Sequence, residues 1–369
     1  MIARRSILYL DPYHTASHRL LAQALESRSR HAVTLLTLPP RKWKWRMRGA
    51  SFAFEPMVRA LPGPHPELLV TTDFLNLPEF LALTRDLFSA PIRAIVYFHE
   101  NQLTYPSASS DVRDFHFGLV NIHSALAADR ALFNSDFHRE DFIAAAEDLL
   151  RRMPDFPPSG VGDRIRARSE VIGLPLDLAE MDARRTDRKM PWVVWNHRWE
   201  EDRDPAVFFE AMAALDRAAS EGRVGDFRLV VAGQTYQERP AIFDQAKGGL
   251  AHRIERWGFV DSRSEYLDLL ARSAVVVSTS RHEFFGVSVM EAIYLGCSPV
   301  LPRRLTYPEI VDGERDFLYD DPSEIPRLVA AALERFPDPR VEALAARIRR
   351  HDAAKVIARW DEIIEEICG

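Results

Sequence analysis

Short apolar runs alternate with longer amphipathic stretches along almost the whole chain. This rhythm is typical of βαβ units, in which helices join the parallel strands of one sheet. In the first half it predicts strands at residues 6–10, 33–38, 68–72, 92–98 and 130–134, and helices at 18–27, 78–88, 115–127 and 137–149. In the second half it predicts strands at 192–196, 228–233, 253–259, 274–280 and 298–301.

A break in this rhythm divides the chain into two halves. Residues 151–164 are rich in Pro and Gly, and a charged stretch without apolar periodicity follows, so we place a hinge near residues 173–191. We therefore expect two doubly wound α/β domains, at 1–178 and 179–350. Such sheets bind ligands beyond the carboxyl ends of their strands, which would face a cleft between the domains. Residues 351–369 have one apolar helical face, which predicts a docked helix.

Composition excludes several classes of protein. The 369 residues include 48 Lys and Arg against 54 Asp and Glu, a net charge of −6, which excludes a globally basic coat for nucleic acid. Two cysteines allow neither a disulfide framework nor zinc-type spacing. No apolar run approaches the ~20 residues of a membrane helix, and the N-terminus has no secretory cleavage pattern. We expect a cytoplasmic protein without stable membrane association.

Residues 280–300 carry two acids around the start of a predicted helix. Glu283 follows a strand, and Glu291 comes eight positions later. The N–H groups between them would start the helix, a favourable position for phosphate. Carboxylates accept hydrogen bonds from sugar hydroxyls, so a nucleotide sugar fits, with its ribose on one glutamate and the transferred sugar on the other. A helix-start acid plus a solvated glutamate explains the spacing equally well. The donor-binding residues predicted here are Glu283, Phe285, Gly286, Val287, Ser288 and Glu291.

Two arginines follow the first predicted strand of the second half. Arg198 and Arg203 would lie at its carboxyl end, where fixed cations can bind a diphosphate and stabilise a leaving phosphate. Four acidic residues surround them, so a salt-bridged surface turn is the alternative.

His99 and Glu100 come where a buried strand of the first half ends. A polar side chain at that point could hydrogen-bond a sugar hydroxyl or assist the leaving group. A histidine that caps a strand end, with its nitrogens satisfied, is the simpler alternative.

A basic stretch interleaved with tryptophans occupies residues 41–48. Cations with flat aromatic rings bind flexible RNA by phosphate neutralisation and base stacking. A membrane-surface segment and a basic loop anchored by its tryptophans remain open as alternatives. The residues concerned are Arg41, Lys42, Trp43, Lys44, Trp45, Arg46 and Arg48.

Other chemistries lack their sequence signals. The first strand-to-helix turn, residues 11–18, has no GxGxxG, which argues against a hydride-transfer enzyme. No spacing typical of metal ligands and no nucleophile elbow occurs.

Together these segments resemble the retaining GT-B glycosyltransferases of family four. In that family two glutamates separated by seven residues bind the sugar nucleotide, as Glu283 and Glu291 would here. An arginine and a basic residue five positions on bind the diphosphate, matching Arg198 and Arg203, and a histidine near the transferred sugar matches His99. The resemblance implies that Glu283, His99 and Arg198 are catalytic, and that the C-terminal helix crosses back to the first domain.

A narrower resemblance, over nearly the whole chain, is to the tRNA-queuosine alpha-mannosyltransferases. It is carried by YFHENQLTYP, KWKWR, FNSDFHRE, WNHRWEEDRDP, GQTYQERP, HEFFGVSVMEAIYLGC and YPEI. It implies transfer of mannose from GDP-mannose to queuosine in a tRNA anticodon without a metal. It also adds Glu100 and Asn101 to the acceptor-binding residues at 41–48. Thr15 and Ala16 replace a glycine pair of the related enzymes, and Arg203 replaces a lysine.

Two other functions remain open. One is a retaining glycosyltransferase with a lipid or polysaccharide acceptor. The other is a non-catalytic RNA-binding module on a GT-B fold.

Overall fold

The computed structural model describes residues 3–63, 65–88, 91–105, 114–235 and 240–369. The chain divides into two compact units. Unit 1 comprises Met1–Leu176 together with His351–Gly369, and unit 2 comprises Asp177–Arg350. Each unit has one six-stranded sheet in which every described pairing is parallel. The predicted α/β fold with two Rossmann-like domains is therefore confirmed.

The sheet of unit 1 has the strand order β2-β1-β3-β4-β5-β6. Its strands are β1 Ser6–Asp11, β2 Ala32–Thr37, β3 Leu68–Thr72, β4 Arg93–Phe98, β5 Arg130–Phe133 and β6 Ser169–Val171. Its first helices are α1 Ala16–Arg28, α2 Trp43–Arg59, α3 Leu77–Leu83, α4 Phe115–Ala127, α5 Asp136–Arg151 and α6 Val161–Arg166. The order reverses between β1 and β3, so the loops after these strands diverge at the carboxyl edge.

The sheet of unit 2 has the order β12-β11-β10-β7-β8-β9. Its strands are β7 Met190–Trp195, β8 Arg228–Ala232, β9 Ile254–Gly258, β10 Ser273–Val277, β11 Ser298–Pro302 and β12 Leu318–Tyr319. Its helices are α7 Leu178–Asp182, α8 Pro205–Ser220, α9 Ile242–Gly249, α10 Arg263–Arg272, α11 Val287–Tyr294, α12 Tyr307–Ile310, α13 Ile325–Arg335 and α14 Pro339–Ile348. Here the order reverses between β7 and β10, which are hydrogen-bonded neighbours.

The central strands of both sheets are apolar runs buried on both faces. All five residues of β3 and all five of β10 are buried, as expected where helices cover both sides of a parallel sheet. The sequence pattern located these strands well because burial on both faces favours a largely apolar run.

The C-terminal helix, α15 Ala353–Cys368, belongs to unit 1. Trp360 is fully buried, with its ring 5.6 Å from that of Tyr97. Asp361 accepts hydrogen bonds from the Ser29 hydroxyl and from the Arg30 backbone N–H at the end of α1. The prediction of a docked helix that returns to the first domain is confirmed.

Some boundaries differ from the prediction. Residues 43–48 are helical and not a loop: α2 begins at Trp43, because its apolar residues Met47, Phe54 and Val58 keep helical spacing and are buried. The helix predicted at 78–88 ends at Leu83. Strands β6 and β12 were missed, since three and two residues are too short to show a period. Within the described residues, no helix is long and apolar enough to span a membrane.

Candidate functional site

The predicted donor residues of unit 2 lie on loops at the reversal of its strand order. Arg198 and Arg203 follow β7, and Glu283 follows β10, its hydrogen-bonded neighbour. Loops that leave the carboxyl ends of such strands diverge and form the usual ligand site of an open α/β sheet. The fold thus brings two distant stretches of sequence together at one edge.

Arg203, which is buried, forms an ion pair with the half-buried Glu283 at this edge. The Arg203 Nη1 lies 3.1 Å from the Glu283 Oε2 and donates to the His282 carbonyl at 2.6 Å. Burial alone would lower the pKa of Arg203, but Glu283 and Asp202 outweigh burial and raise it. The guanidinium is a permanent cation, and the five N–H groups of an arginine exceed what Glu283 and His282 use.

Arg198 is the more exposed of the two arginines. Its side chain is 41% exposed, and its Nη2 lies 3.1 Å from the Glu200 Oε2. Asp202 lies between the two cations, at 4.0 Å from Arg198 and 3.5 Å from Arg203. The salt-bridged turn considered as the alternative is therefore present, and it orients the same cations that a diphosphate needs.

Helix α11 begins at Val287, four residues after Glu283. Its N-cap is Gly286, with φ +86°, a residue that has no side chain to cap the first N–H groups. A Cβ at Gly286 would lie 2.9 Å from the Ile310 Cδ1, so both conformation and space favour glycine. Val287 and Ser288 are half-buried. Their N–H groups, with the positive end of the helix dipole, suit an anion.

Glu291 is buried inside α11 and is bound by a residue that the sequence did not reveal. The Arg263 Nη2 donates to the Glu291 Oε1 at 2.6 Å. Nearby, the Asn196 amide donates to the Ser288 carbonyl at 2.8 Å, and its buried Oδ1 accepts no hydrogen bond within the described structure. Arg263 is the first residue of α10, and no sequence motif marks this position as part of a site. Asn196 could have been noticed, because it is a polar residue that directly follows β7.

Two histidines beside the arginines are neutral. Burial, with Arg203 second, lowers the pKa of both His197 and His282 to about 3. Arg198 contributes to both shifts, which places its charge close to the loop after β10. The positive charge beside these two histidines therefore comes from Arg198 and Arg203 and not from the imidazole rings, and it does not change between pH 5 and 8.

In unit 1, His99 lies at the carboxyl end of β4 and is 7% exposed. Neither of its ring nitrogens has a hydrogen-bond partner among the described residues. Within the described residues, His99 therefore differs from the alternative of a strand-capping histidine whose nitrogens are satisfied. Burial, with His18 second, keeps the pKa of His99 well below its usual value. Its ring is neutral, and both ring nitrogens are buried.

His99 stacks on a charged pair that the sequence did not indicate. The His18 and His99 rings are 3.8 Å apart and nearly parallel. The Asp11 Oδ1 accepts from the His18 Nδ1 at 2.9 Å, and its Oδ2 lies 2.7 Å from the His14 Nδ1. Burial would lower the pKa of His18, but Asp11 outweighs burial and raises it. In the sequence, the only indication of this cluster is an acid and two histidines in the first strand-to-helix turn, residues 11–18.

Asp73 completes this cluster at the end of β3. Its Oδ1 accepts the backbone N–H of His99 at 3.0 Å, and its Oδ2 has no hydrogen-bond partner in the described structure. Burial, followed by the charge of Glu100, raises the pKa of Asp73. Asn101, predicted to bind the acceptor, is fully buried and stabilises its own turn by accepting from the Leu103 N–H at 2.9 Å.

The residues of the basic aromatic stretch, 41–48, differ in how far they are exposed and in what they contact. Trp43 packs on Phe117 with ring centres 5.1 Å apart, which fits the anchoring alternative for this residue. Trp45 is 61% exposed. Arg48 lies over the Phe117 ring and pairs with Asp114 at 2.7 Å. Arg41, Lys42 and Lys44 are exposed and Arg46 is half-buried.

Two of the sequence motifs that carry the resemblance extend beyond the described residues. The residues outside are Pro106 in YFHENQLTYP and residues 236–239 in GQTYQERP. Within the described ranges, no group of three or more His, Cys, Asp or Glu could hold a metal ion.

Known structures share this architecture over nearly the whole chain. Sucrose-phosphate synthase from Thermosynechococcus elongatus matches with a TM-score of 0.66 and 15% identity, covering 98% of this chain and 99% of the other. Anabaena HepE, solved in complex with UDP-glucose, matches with a TM-score of 0.68 and 15% identity, covering 98% and 100%. The family model "Glycosyl transferases group 1" matches residues 192–336. The protein is a glycosyltransferase of the GT-B fold.

The comparisons also show the family within this class. The family model "tRNA-queuosine alpha-mannosyltransferase N-terminal" matches residues 6–176. The tRNA-queuosine alpha-mannosyltransferase of Drosophila melanogaster is 34% identical over 324 residues, which cover 85% of this chain and 83% of the relative. The chain belongs to the tRNA-queuosine alpha-mannosyltransferase family, as the sequence resemblance predicts.

Proposed function

We propose that this enzyme transfers mannose from GDP-mannose to queuosine in tRNA, with retention of configuration. The observation that carries the proposal is the Arg203–Glu283 pair near the start of α11, where the N-cap is a glycine, at the strand-order reversal of unit 2. It supplies a cation, a hydroxyl acceptor and helix N–H groups at one edge. The name of the Drosophila relative supports both the mannosyl group and the acceptor.

Unit 2 binds the donor in this proposal. Arg198, Arg203 and the N–H groups of Val287 and Ser288 neutralise the diphosphate, because fixed cations and helix N-termini stabilise phosphate charge. Glu283 accepts from the mannose. Glu291 accepts from the ribose hydroxyls while Arg263 holds its carboxylate in position.

Transfer needs no protein base and no metal in this proposal. The bond between the anomeric carbon and the phosphate oxygen breaks, giving an oxocarbenium-like sugar, and the acceptor oxygen bonds to the same face. The acceptor proton passes to the departing phosphate. Arg198 and Arg203 stabilise the charge that grows on that phosphate, the role usually given to a preorganised cation site. The catalytic role of His99 stays a prediction; its ring nitrogens are buried and have no hydrogen-bond partner within the described structure.

The acceptor is held, we propose, by the basic residues at the start of α2. Lys42, Lys44 and Arg41 are exposed there, and cations on one helix end neutralise the phosphates of RNA. We also propose a cytoplasmic enzyme; two free cysteines suit a reducing compartment.

The direct test is incubation with GDP-mannose and queuosine-containing tRNA, followed by mass analysis of the nucleosides. We expect queuosine to gain one hexose, and Glu283→Ala to reduce transfer by ~10²-fold, as for loss of a transition-state contact. A hexose on lipid or glycan only would favour the alternative acceptors. No GDP binding by calorimetry would favour a non-catalytic module.

Metal independence is tested in the same assay. Turnover in excess EDTA should equal turnover with added Mg²⁺, because the two arginines supply the charge. Complete loss in EDTA that Mg²⁺ restores would overturn this part of the mechanism alone.

A further inference from the structure

One exposed face of α2 carries two large aromatic residues. Trp45 is 61% exposed and Phe52 is 62% exposed. They are seven residues apart, almost two helical turns, so they lie on the same side of the helix. Arg48, with a side chain 58% exposed, lies between them on that side. We call these three residues the α2 face. Only Trp45 and Arg48 belong to the basic stretch that the sequence singled out.

Gly49 determines how the Trp45 ring lies. A Cβ at Gly49 would be 2.7 Å from the Trp45 Cζ2 and 2.8 Å from its Cε2, so the indole rests directly on the helix backbone. Gly49 is itself buried although it is next to an exposed turn. Glycine inside a helix costs about 1 kcal/mol relative to alanine. In return, Gly49 leaves room for the flat Trp45 indole to lie with one side against the helix backbone.

The sequence at the start of α2 carries charge of one sign. Residues 41–48 contain five Lys and Arg and no acidic residue. The side chain of Arg48 is oriented by Asp114 at 2.7 Å. A chain with a net charge of −6 concentrates cations here. The complementary occupant is therefore a polyanion, and one that offers flat apolar rings.

We propose that the α2 face binds unpaired bases of an RNA single strand, which stack on Trp45 and Phe52 while Arg48 contacts the phosphate between them. The inference rests on the proposed function and names the part of the acceptor that this surface takes. Sequence-tolerant stacking on aromatic side chains together with backbone charge is how proteins hold single-stranded RNA. An anionic membrane is the competing occupant, and the experiment separates the two.

The experiment measures binding of the full chain to an anticodon stem-loop by fluorescence anisotropy, beside a paired hairpin of equal charge. We expect Trp45→Ala and Phe52→Ala each to weaken binding to the stem-loop about tenfold. Binding to the paired hairpin should change little, because its bases are not available for stacking. Phe259→Ala, which removes a 52% exposed aromatic from unit 2, is the matched control and should bind both RNAs as the wild type does.

Gly49→Ala tests the geometry without removing any ring or charge. The added methyl displaces the Trp45 indole, so stem-loop binding should fall nearly as far as in Trp45→Ala. Helix propensity favours alanine, so thermal unfolding should show no loss of stability. A stable Gly49→Ala protein with wild-type binding would contradict the proposed role of the Trp45 ring.

Salt dependence separates stacking from charge. Arg48→Gln should make the slope of log affinity against log salt shallower by about 0.7, the value for one phosphate contact on a single strand. Trp45→Ala should weaken binding with the slope unchanged. Equal slopes for Arg48→Gln and wild type would remove Arg48 from the phosphate contact.

The outcomes distinguish this inference from the proposed function. If the wild type binds GDP but neither RNA, the tRNA acceptor itself is wrong. If it binds the stem-loop and all three aromatic-face variants, Trp45→Ala, Phe52→Ala and Gly49→Ala, bind equally well, only the α2 face is wrong. Loss of binding to anionic vesicles in these variants, with RNA binding intact, would assign the face to a membrane instead.

Discussion

At the residue scale, substitutions of the two arginines of the predicted donor site should differ in their effect on stability, because the two side chains are buried to different degrees. Arg203 is 8% exposed and pairs with Glu283. Removing one partner of a buried pair costs about 3–5 kcal/mol, so Arg203→Ala should lose both stability and transfer. Arg198 is half-exposed, so Arg198→Ala should lose ~10²-fold in transfer and only about 0.5 kcal/mol in stability. Urea unfolding beside the nucleoside assay measures both. Equal stability losses in the two variants would contradict the burial assigned here.

The neutral histidines predict a pH dependence of stability. His197 and His282 have pKa values of about 3 in the folded chain, against about 6.5 when unfolded. Between these values the unfolded state binds more protons, so stability falls as pH decreases from 6.5 toward 3, by up to about 1.4 kcal/mol per pH unit for each histidine. Urea unfolding at several pH values should show a shallower slope in His282→Gln.

The exposed His123 in unit 1 is the control for that measurement. His123→Gln should leave the slope of stability against pH unchanged. A wild-type slope in His282→Gln would show that His282 is not held neutral by its surroundings.

Single residues could be predicted where they follow a strand and carry charge. Arg203 and Glu283 were found in this way, and they do meet. Arg263 was not, because a residue that braces Glu291 across helices leaves no spacing in the sequence. His18 was also missed as a partner of His99, since their contact joins α1 to the end of β4.

At the element scale, the start of α11 is the feature most sensitive to a small change. Gly286→Ala adds a methyl in contact with Ile310 at a positive φ, at a cost of about 1–2 kcal/mol. We expect the first N–H groups of α11 to shift and GDP affinity to fall. Calorimetric titration with GDP measures the effect.

Gly222 provides a matched control. It also has a positive φ, +70°, but no atom lies within 4 Å of an added Cβ. Gly222→Ala should show similar backbone strain with unchanged GDP affinity. If both variants bind GDP as the wild type does, the helix start does not hold the diphosphate.

Whole elements were predictable wherever apolar periodicity dominated. The buried strands and α15 appear as expected. Helix α2 was not among the predicted helices, because the cations at its start obscure the helical spacing of Met47, Phe54 and Val58. The charges of a segment determine what its surface binds, whereas the burial of an apolar face determines whether the segment forms a helix.

At the scale of the whole molecule, unit 2 is one continuous stretch, whereas unit 1 needs both ends of the chain. All donor residues lie in Asp177–Arg350. We expect a fragment of residues 177–350 to fold and to bind GDP with the affinity of the full chain. A fragment of residues 1–176 lacks α15 and its buried Trp360, so it should not fold cooperatively. Circular dichroism melts and GDP titration test both statements.

An unfolded 177–350 fragment would show that its core depends on the rest of the chain. A cooperatively folding 1–176 fragment would show that α15 is dispensable.

The central claim is that the arginines after β7 and the start of α11 hold a nucleotide diphosphate. Calorimetric titration of Arg198→Ala with GDP and with guanosine tests it most directly, beside Arg223→Ala, which removes an exposed arginine paired with Glu221. Arg198→Ala should bind GDP at least about tenfold more weakly, as expected for the loss of one charge-assisted contact. Guanosine affinity should stay unchanged, and Arg223→Ala should match the wild type. Equal GDP affinity in Arg198→Ala and wild type would contradict the account.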